Sequence, residues 1–414
     1  FALAALPAPA EVPWPSLGGI PTALVTGSNG KTTTVRLIAA CARAHGWITG
    51  YTCTDGVWID DESVESGDYS GPAGARRVVR DRRVAAAVLE TARGGILRRG
   101  IAVPTANVAG VTKISSDHFG EYGIHDHDSL ADAKLSVAGV LPADGLLVLN
   151  ADDALLRAKP TTLPARLGHA SRLGWFALDA DLPLLREHRA AGGATCGVRG
   201  GHLRLEAGAS SDDLGEVASL PLAVGGSARY NVANLAAAAL AAHALGIAPQ
   251  TIRRVYAGFG ARPEDNPGRL MRYRRDGVEI LVDYAHNPAA LRGLLAVSRG
   301  LVAPGGRLAM LLGHAGNRRD ADFASVARVA AEFRPERVVV KETESHLRGR
   351  PPGEVPRILR HALLEAGVPA ETIVVRDSEL SAASDALAWA RPGDVLVLLV
   401  HSPAARAALL ERIG

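Results

Sequence analysis

The sequence predicts an α/β chain built on two mostly parallel sheets, and three observations point that way. An apolar run at 23–25 ends in the turn-prone Gly27-Ser28-Asn29-Gly30, and a helical pattern follows at once from Thr32 to His45. That is the strand–loop–helix order of an α/β unit. Beyond residue 267, apolar runs at 280–282, 308–312, 338–340, 373–375 and 395–400 alternate with helical patterns, as in a doubly wound sheet. Between them, Arg262-Pro263-Glu264-Asp265-Asn266-Pro267-Gly268 crowds turn formers together and reads as a domain boundary. The expected organisation is a lead-in over 1–20, a first domain over 21–263 with a small β-rich insertion near 167–224, and a Rossmann-like second domain over 267–414.

Taken in order, the lead-in is rich in alanine and proline and has no basic segment ahead of an apolar core, so it does not read as a secretory signal. The first α/β unit opens its helix with Lys31-Thr32-Thr33. Backbone N–H groups of such a loop point into its concavity, with the helix dipole behind them, which suits phosphate. Lys31 can bridge β- and γ-phosphates and the Thr32 hydroxyl can hold Mg²⁺. Gly27, Ser28, Asn29, Gly30, Lys31, Thr32 and Thr33 are therefore the expected contacts of a nucleoside triphosphate. One departure is Val25, where the general pattern has glycine.

A short extended segment at 48–52 and a strand at 57–59 flank Thr54-Asp55-Gly56, the polar stretch Asp60–Pro72 reads as loop, and 75–80 as a short arginine-rich helix. The apolar run 84–89 reads as a buried parallel strand that ends at Glu90, on the carboxyl edge where ligands bind. A carboxylate there is either a hard-oxygen ligand for Mg²⁺ or a solvated strand-end glutamate. A strand over 105–111 leads to Ser116-Asp117-His118, where His118 reads equally as a ligand and as an ordinary loop histidine. His125-Asp126-His127-Asp128 reads as solvated loop rather than a metal cluster.

In the helix expected over 130–141, with Ser129 and Asp132 as its capping box, Lys134 falls on the apolar stripe of Leu130, Val137, Ala138 and Leu141. A lysine facing a core is costly unless paired or chemically altered, which favours a functional role. A strand at 145–149 runs into Asn150-Ala151-Asp152-Asp153, and glycine-separated extended pieces then make up the β-rich insertion. The alanine-rich helix 231–245 closes the domain, with Asn231 and Asn234 as caps or ligand contacts. In the second domain, strands end in polar sets at 283–288, 313–320 and 341–344, all on one sheet edge facing one cleft.

Composition excludes several classes. A net charge of +3 and a pI near 8.8 are too mild to imply nucleic acid. The mean hydropathy is +0.09, and no apolar run reaches the length of a membrane span. Cys41, Cys53 and Cys196 are scattered without metal-ligand spacing, which suits a reducing cytoplasm. Among the 46 basic residues only Lys31, Lys113, Lys134, Lys159 and Lys341 are lysine. So arginine-rich a composition is most simply a genomic bias, against which a surviving lysine is weak evidence for a site that guanidinium does not serve.

Together these segments resemble the Mur ligase family, most closely its cyanophycin-synthetase-like branch. The family's phosphate loop is similar to Thr26-Gly27-Ser28-Asn29-Gly30-Lys31-Thr32-Thr33 and also lacks the first glycine of the general pattern. The closer match rests on Leu89-Glu90-Thr91-Ala92-Arg93-Gly94-Gly95-Ile96-Leu97, Thr54-Asp55-Gly56, Ser116-Asp117-His118, Val148-Leu149-Asn150-Ala151-Asp152-Asp153, Val282-Asp283-Tyr284-Ala285-His286-Asn287-Pro288 and Leu347-Arg348-Gly349-Arg350, in the expected order.

The resemblance implies a P-loop ATPase domain followed by a Rossmann-like domain. It also implies ATP-dependent joining of a carboxylate to an amine through an acyl phosphate, with release of ADP and phosphate. ATP and Mg²⁺ are the implied cofactors, with catalytic roles for Lys31, Glu90, His118 and Lys134. Lys31 would lie on the phosphates, Thr32 and Glu90 at one Mg²⁺, and His118 at a second. Lys134 matches a family lysine that is often carbamylated into a metal-binding carboxylate. Asn231, Arg269, Asp283 and His286 resemble nucleotide contacts. Thr54, Asp55, Arg93, His314, Asn317, Arg318, Lys341 and Arg348 are the implied substrate contacts.

So few residues precede the phosphate loop that neither the N-terminal domain of wall-synthesis ligases nor an ATP-grasp module is expected. The expected substrates are a small or peptide-like acid and an amino acid such as arginine, with no nucleic acid, no membrane and homo-oligomerisation left open. The competing readings are an inactive nucleotide-binding regulatory subunit, an ordinary P-loop kinase or hydrolase, and a folylpolyglutamate-synthetase-like ligase.

Overall fold

A computed structural model describes residues 19–115, 122–163, 165, 171–343 and 346–413. They form two compact units, one reaching Val217 and including Asn231–Ala257, the other made of Ala218–Tyr230 and the chain from Gly258 on.

The first unit is built on strands β1 (Thr22–Thr26), β2 (Thr49–Cys53), β3 (Gly56–Ile59), β4 (Glu62–Ser66), β5 (Ala86–Glu90), β6 (Val108–Val111), β7 (Leu146–Asn150), β8 (Arg172–Asp179), β9 (Ala194–Arg199), β10 (His202–Ala207) and β11 (Ser210–Glu216). They form one sheet in the order β11-β10-β9-β8-β7-β6-β1-β5-β2-β3-β4. Strands from β9 to β2 in that order pair in parallel, and antiparallel hairpins finish both ends. β1, β5, β6 and β7 are buried throughout, which is why they read as unbroken apolar runs. β1 lies between β5 and β6, in a register that sets Val25 beside Glu90 and Thr26 beside Val111.

Two local expectations are corrected. The polar stretch Asp60–Pro72 contains β4, whose largely exposed residues on the sheet margin give no apolar signal. The lysine-bearing helix spans His127–Leu135, and its capping box pairs Asp126 with Ser129 rather than Ser129 with Asp132. A 3₁₀ turn over Ser136–Val140 then replaces its expected last turn. The β-rich stretch extends the same sheet, because β8 pairs with β7.

The second unit has strands β12 (Met271–Arg275), β13 (Val278–Asp283), β14 (Leu308–Leu312), β15 (Arg337–Lys341), β16 (Ile373–Arg376) and β17 (Val395–Leu399). Their order is β12-β13-β17-β14-β15-β16, and all neighbours are parallel except β12 with β13. Alternate residues feed two cores. Leu281 and Met310 pack with Leu295, Phe323 and Leu363, while Val282 and Leu311 pack with Ala386 and Leu409. That alternation is the strand period of two. Helices therefore cover both faces, leaving the carboxyl ends of β13, β14, β15 and β17 to carry polar residues. No helix among the described residues is long and apolar enough to cross a membrane.

Candidate active site

In the first unit, the chain leaves β1 through Gly27, whose φ of +143° suits glycine; a Cβ there would lie 1.9 Å from Thr112 Oγ1. Gly30, at φ +87°, precedes the helix Lys31–His45, and a Cβ there would meet Asn234 Oδ1 at 2.2 Å. The loop is cross-braced by the segment after β6. Ser28 N donates to Lys113 O at 2.7 Å, Ser28 Oγ donates to Ser115 O at 2.9 Å, and Asn29 Nδ2 donates to Ser115 Oγ at 3.0 Å. Lys31 Nζ reaches back to Ser28 O at 3.4 Å, and Thr33 is buried in the first helical turn.

Thr32 Oγ1 donates to Glu90 Oε2 at 2.8 Å, and both residues are buried. The β1–β5 register brings them together, as expected from the carboxyl-edge position of Glu90. Thr54 Oγ1 lies 3.2 Å from Thr32 Oγ1. Asp55 is held by Arg36 at 2.8 Å, a buried guanidinium that the helical pattern gave no reason to single out. Lys134, 1% exposed, donates from Nζ to Gly27 O at 3.0 Å. Arg93 is buried at the start of the helix that follows Glu90. Asn231 lies inside the helix Arg229–Ala244 rather than at its start, and accepts from Asn234 Nδ2 at 3.1 Å. His118 falls outside the described residues.

A hydroxyl and a carboxylate side by side are hard oxygen donors, and Mg²⁺ takes few protein ligands when phosphates supply the rest. Thr32 and Glu90 thus fit such a cation. Among the described residues no cluster of three or more His, Cys, Asp or Glu could hold a metal by itself.

In the second unit, Asp283 ends β13 and accepts from Leu270 N at 2.6 Å and Ala285 N at 2.7 Å. Burial pushes its carboxyl up, against the opposing pull of Arg269. Arg269 lies over the Tyr284 ring at 4.8 Å, and His286 Nδ1 donates to Tyr284 O at 3.2 Å, so these three candidates share one strand end. His314, 6% exposed, follows β14 and packs edge-on against Phe323. Burial and the Arg318 guanidinium hold its imidazole down at about 3. Asn317 and Arg348 are exposed and Arg318 is half-buried.

Lys341, expected at the substrate, is enclosed: its ammonium is paired with the Glu379 carboxylate and lies 3.3 Å from His401 Nδ1. Desolvation pushes the Glu379 carboxyl up, but His401 and Lys341 outweigh it and hold the group well below the usual range. Glu379 and His401 were invisible to sequence reasoning, since neither stands near Lys341 along the chain.

The first unit is thus a phosphate-loop α/β domain with a paired hydroxyl and carboxylate at the loop, followed in the chain by a second parallel-sheet unit. Residues 25–171 match the Mur ligase middle domain and residues 268–399 the Mur ligase glutamate ligase domain; the chain belongs to the Mur ligase family. It is 36% identical over 396 residues to a cyanophycin synthetase of Trichormus variabilis, which covers 96% of this chain and 43% of that protein. The chain therefore spans less than half the length of that relative. It is 30% identical to a UDP-N-acetylmuramoyl-L-alanyl-D-glutamate–2,6-diaminopimelate ligase of Alkalilimnicola ehrlichii, over 90% of this chain and 70% of that one. A solved bifunctional folylpolyglutamate synthase/dihydrofolate synthase from Yersinia pestis, complexed with AMPPNP and a Mn ion, shares the fold. Its TM-score is 0.67 at 19% identity, over 95% of this chain and 88% of that one.

Proposed function

We propose that this chain is an ATP-dependent, ADP-forming ligase that joins a substrate carboxylate to an amino acid or amine. The observation that supports it most is the buried Thr32–Glu90 pair at 2.8 Å beside the Gly27–Thr33 loop. Relatives named as ligases support the same reaction class.

In this reading the loop N–H groups and Lys31 bind the triphosphate, and Asn231, Arg269, Asp283 and His286 are nucleotide contacts. Thr32 and Glu90 hold a divalent cation; the AMPPNP and Mn of the folylpolyglutamate synthase neighbour support both ligands. We take the cation to be Mg²⁺, which when bound supplies charge neutralisation at the phosphates. His118 at a second cation and a carbamylated Lys134 remain part of the proposal on family resemblance. The acceptor carboxylate attacks the γ-phosphorus, ADP leaves, and the amine then displaces phosphate from the acyl phosphate while losing a proton. The chain's part is positioning and charge stabilisation rather than nucleophilic attack. Thr54, Asp55 and Arg93 are acceptor-side candidates; His314, Asn317, Arg318 and Arg348 are amine-side candidates.

On the family resemblance alone, arginine is the proposed amine and an aspartyl side chain the proposed acceptor. The cytoplasm is the proposed compartment, on three buried free thiols.

The test is phosphate release from Mg-ATP across a matrix of acids and amino acids, including aspartate-ended peptides and arginine, with products weighed by mass spectrometry. Release that requires one acid and one amine together, with a condensed product, is expected. Release without any amine would point to a kinase or hydrolase. ATP binding with silence across the matrix would point to a regulatory subunit.

A further inference from the structure

The turn Asn150-Ala151-Asp152-Asp153 at the end of β7 has no part in the reaction above, yet its three polar side chains reach three different neighbours. Asn150 Nδ2 donates to Thr112 O at 2.9 Å, while its Oδ1 accepts from Asp152 N at 2.9 Å. Asp153 Oδ2 accepts from Ile114 N at 2.7 Å, and its Oδ1 caps the helix Ala154–Ala158 through Leu155 N and Leu156 N. Asp152 turns the other way, accepting from Leu178 N at 2.8 Å.

Residues 112–115 form no strand or helix, and Thr112 N alone continues the pairing with β1, donating to Thr26 O at 3.0 Å. On one side they brace the phosphate loop: Thr112 Oγ1 donates to Asn29 O at 2.5 Å, Lys113 O accepts from Ser28 N, and Ser115 bonds Ser28 and Asn29. On the other side they are held by Asn150 and Asp153. We propose that Asn150 and Asp153 are positioning residues for triphosphate binding, keeping the 112–115 crosspiece in the shape that preorganises Gly27–Gly30. The proposal rests on the nucleotide reading of that loop. The reasoning is one of preorganisation: a loop already held in its binding shape loses less freedom when the ligand arrives. Asp152, in the same turn but bonded away from the crosspiece, is the natural control.

The test measures the Kd of Mg-ATP by titration calorimetry, and unfolding temperature without nucleotide, on the full chain. Asn150→Asp keeps the acceptor for Asp152 N but sets an acceptor against Thr112 O. Asp153→Ser keeps a helix cap but is too short to reach Ile114 N. Both are expected to raise Kd by about tenfold, equivalent to about 1.4 kcal/mol, while Asp152→Asn stays close to the parent whatever its unfolding temperature. Kd unchanged in both, or Kd that merely follows unfolding temperature across all three, overturns the positioning role. Should Asn150→Asp fail to fold, Asp153→Ser decides alone, since its cap is retained. If the parent itself does not bind Mg-ATP, the nucleotide reading fails first and takes this proposal with it.

Discussion

The Lys134 ammonium donates to the main-chain carbonyl of Gly27 at 3.0 Å, so a helix of the first unit holds the entrance of the phosphate loop through one buried cation. Removing it leaves the carbonyl and its surroundings without that donor. Lys134→Ala is expected to lower amine-dependent phosphate release on the order of 10²-fold or more. If the working form is a carbamate, short carboxylates such as acetate will restore part of the rate. Restoration by a short alkylamine instead would assign the role to the ammonium. Undiminished activity would remove Lys134 from the site.

Glu90 and Thr32, joined by a hydrogen bond, are the proposed cation ligands. Glu90→Gln keeps the shape and loses the charge. The half-saturating Mg²⁺ concentration is expected to rise on the order of tenfold, with a smaller rise for Thr32→Val. A Mg²⁺ titration that overlays the parent's would refute the assignment.

Lys341 and Glu379 form a fully enclosed ion pair. Removing one partner strands a buried charge. Lys341→Met is expected to destabilise the second unit by about 3–5 kcal/mol, read by denaturant unfolding. Adding Glu379→Gln should recover much of that loss. Additive losses in the double variant would show that the pair is not the reason lysine is kept there.

His314 links stability to pH. Its folded imidazole is held down at about 3 by burial, whereas an unfolded one takes a proton near pH 6.5. Between those values the unfolded state binds the extra proton, so stability falls as pH falls, at up to about 1.4 kcal/mol per pH unit. Above about pH 6.5 the contribution is complete. His314→Gln should flatten the curve between about pH 6.5 and pH 4. Parallel curves for parent and variant would exclude His314 as the source.

The parts of this site that could be read from residues are those whose partners are local or follow from sheet geometry. Gly27 to Thr32 is contiguous, and the place of Glu90 beside Thr32 follows from the buried parallel strand that ends there. The burial of Lys134 was legible because it falls on an apolar stripe. The enclosure of Lys341 was not legible because the carboxylate that pairs with it is 38 residues away, and a strand-end lysine looks the same in sequence whether it faces solvent or Glu379. Arg36 escaped notice because long side chains on a helix pattern as surface until a partner such as Asp55 is known. β4 was missed because Glu62–Ser66 lies at the sheet margin, where pairing is made by backbone and no apolar alternation is required.

The bonds that shape the phosphate loop also bear on how the chain folds. Ser28 bonds to Ser115 87 residues on, Thr32 to Glu90 58 residues on, and Lys134 reaches Gly27 across 107 residues. Gly30 packs against Asn234, later still in the chain. Contacts of such long separation form slowly, since closing large loops costs chain entropy before any contact offsets it. The proposed triphosphate loop is therefore expected to take shape on refolding with the sheet that carries it and not ahead of it, since β1 itself pairs with β6 across a similar stretch of chain. Regained nucleotide binding would report the finished domain rather than its collapse, and nucleotide present during refolding would pull the final equilibrium toward the native state without hastening the steps that precede it.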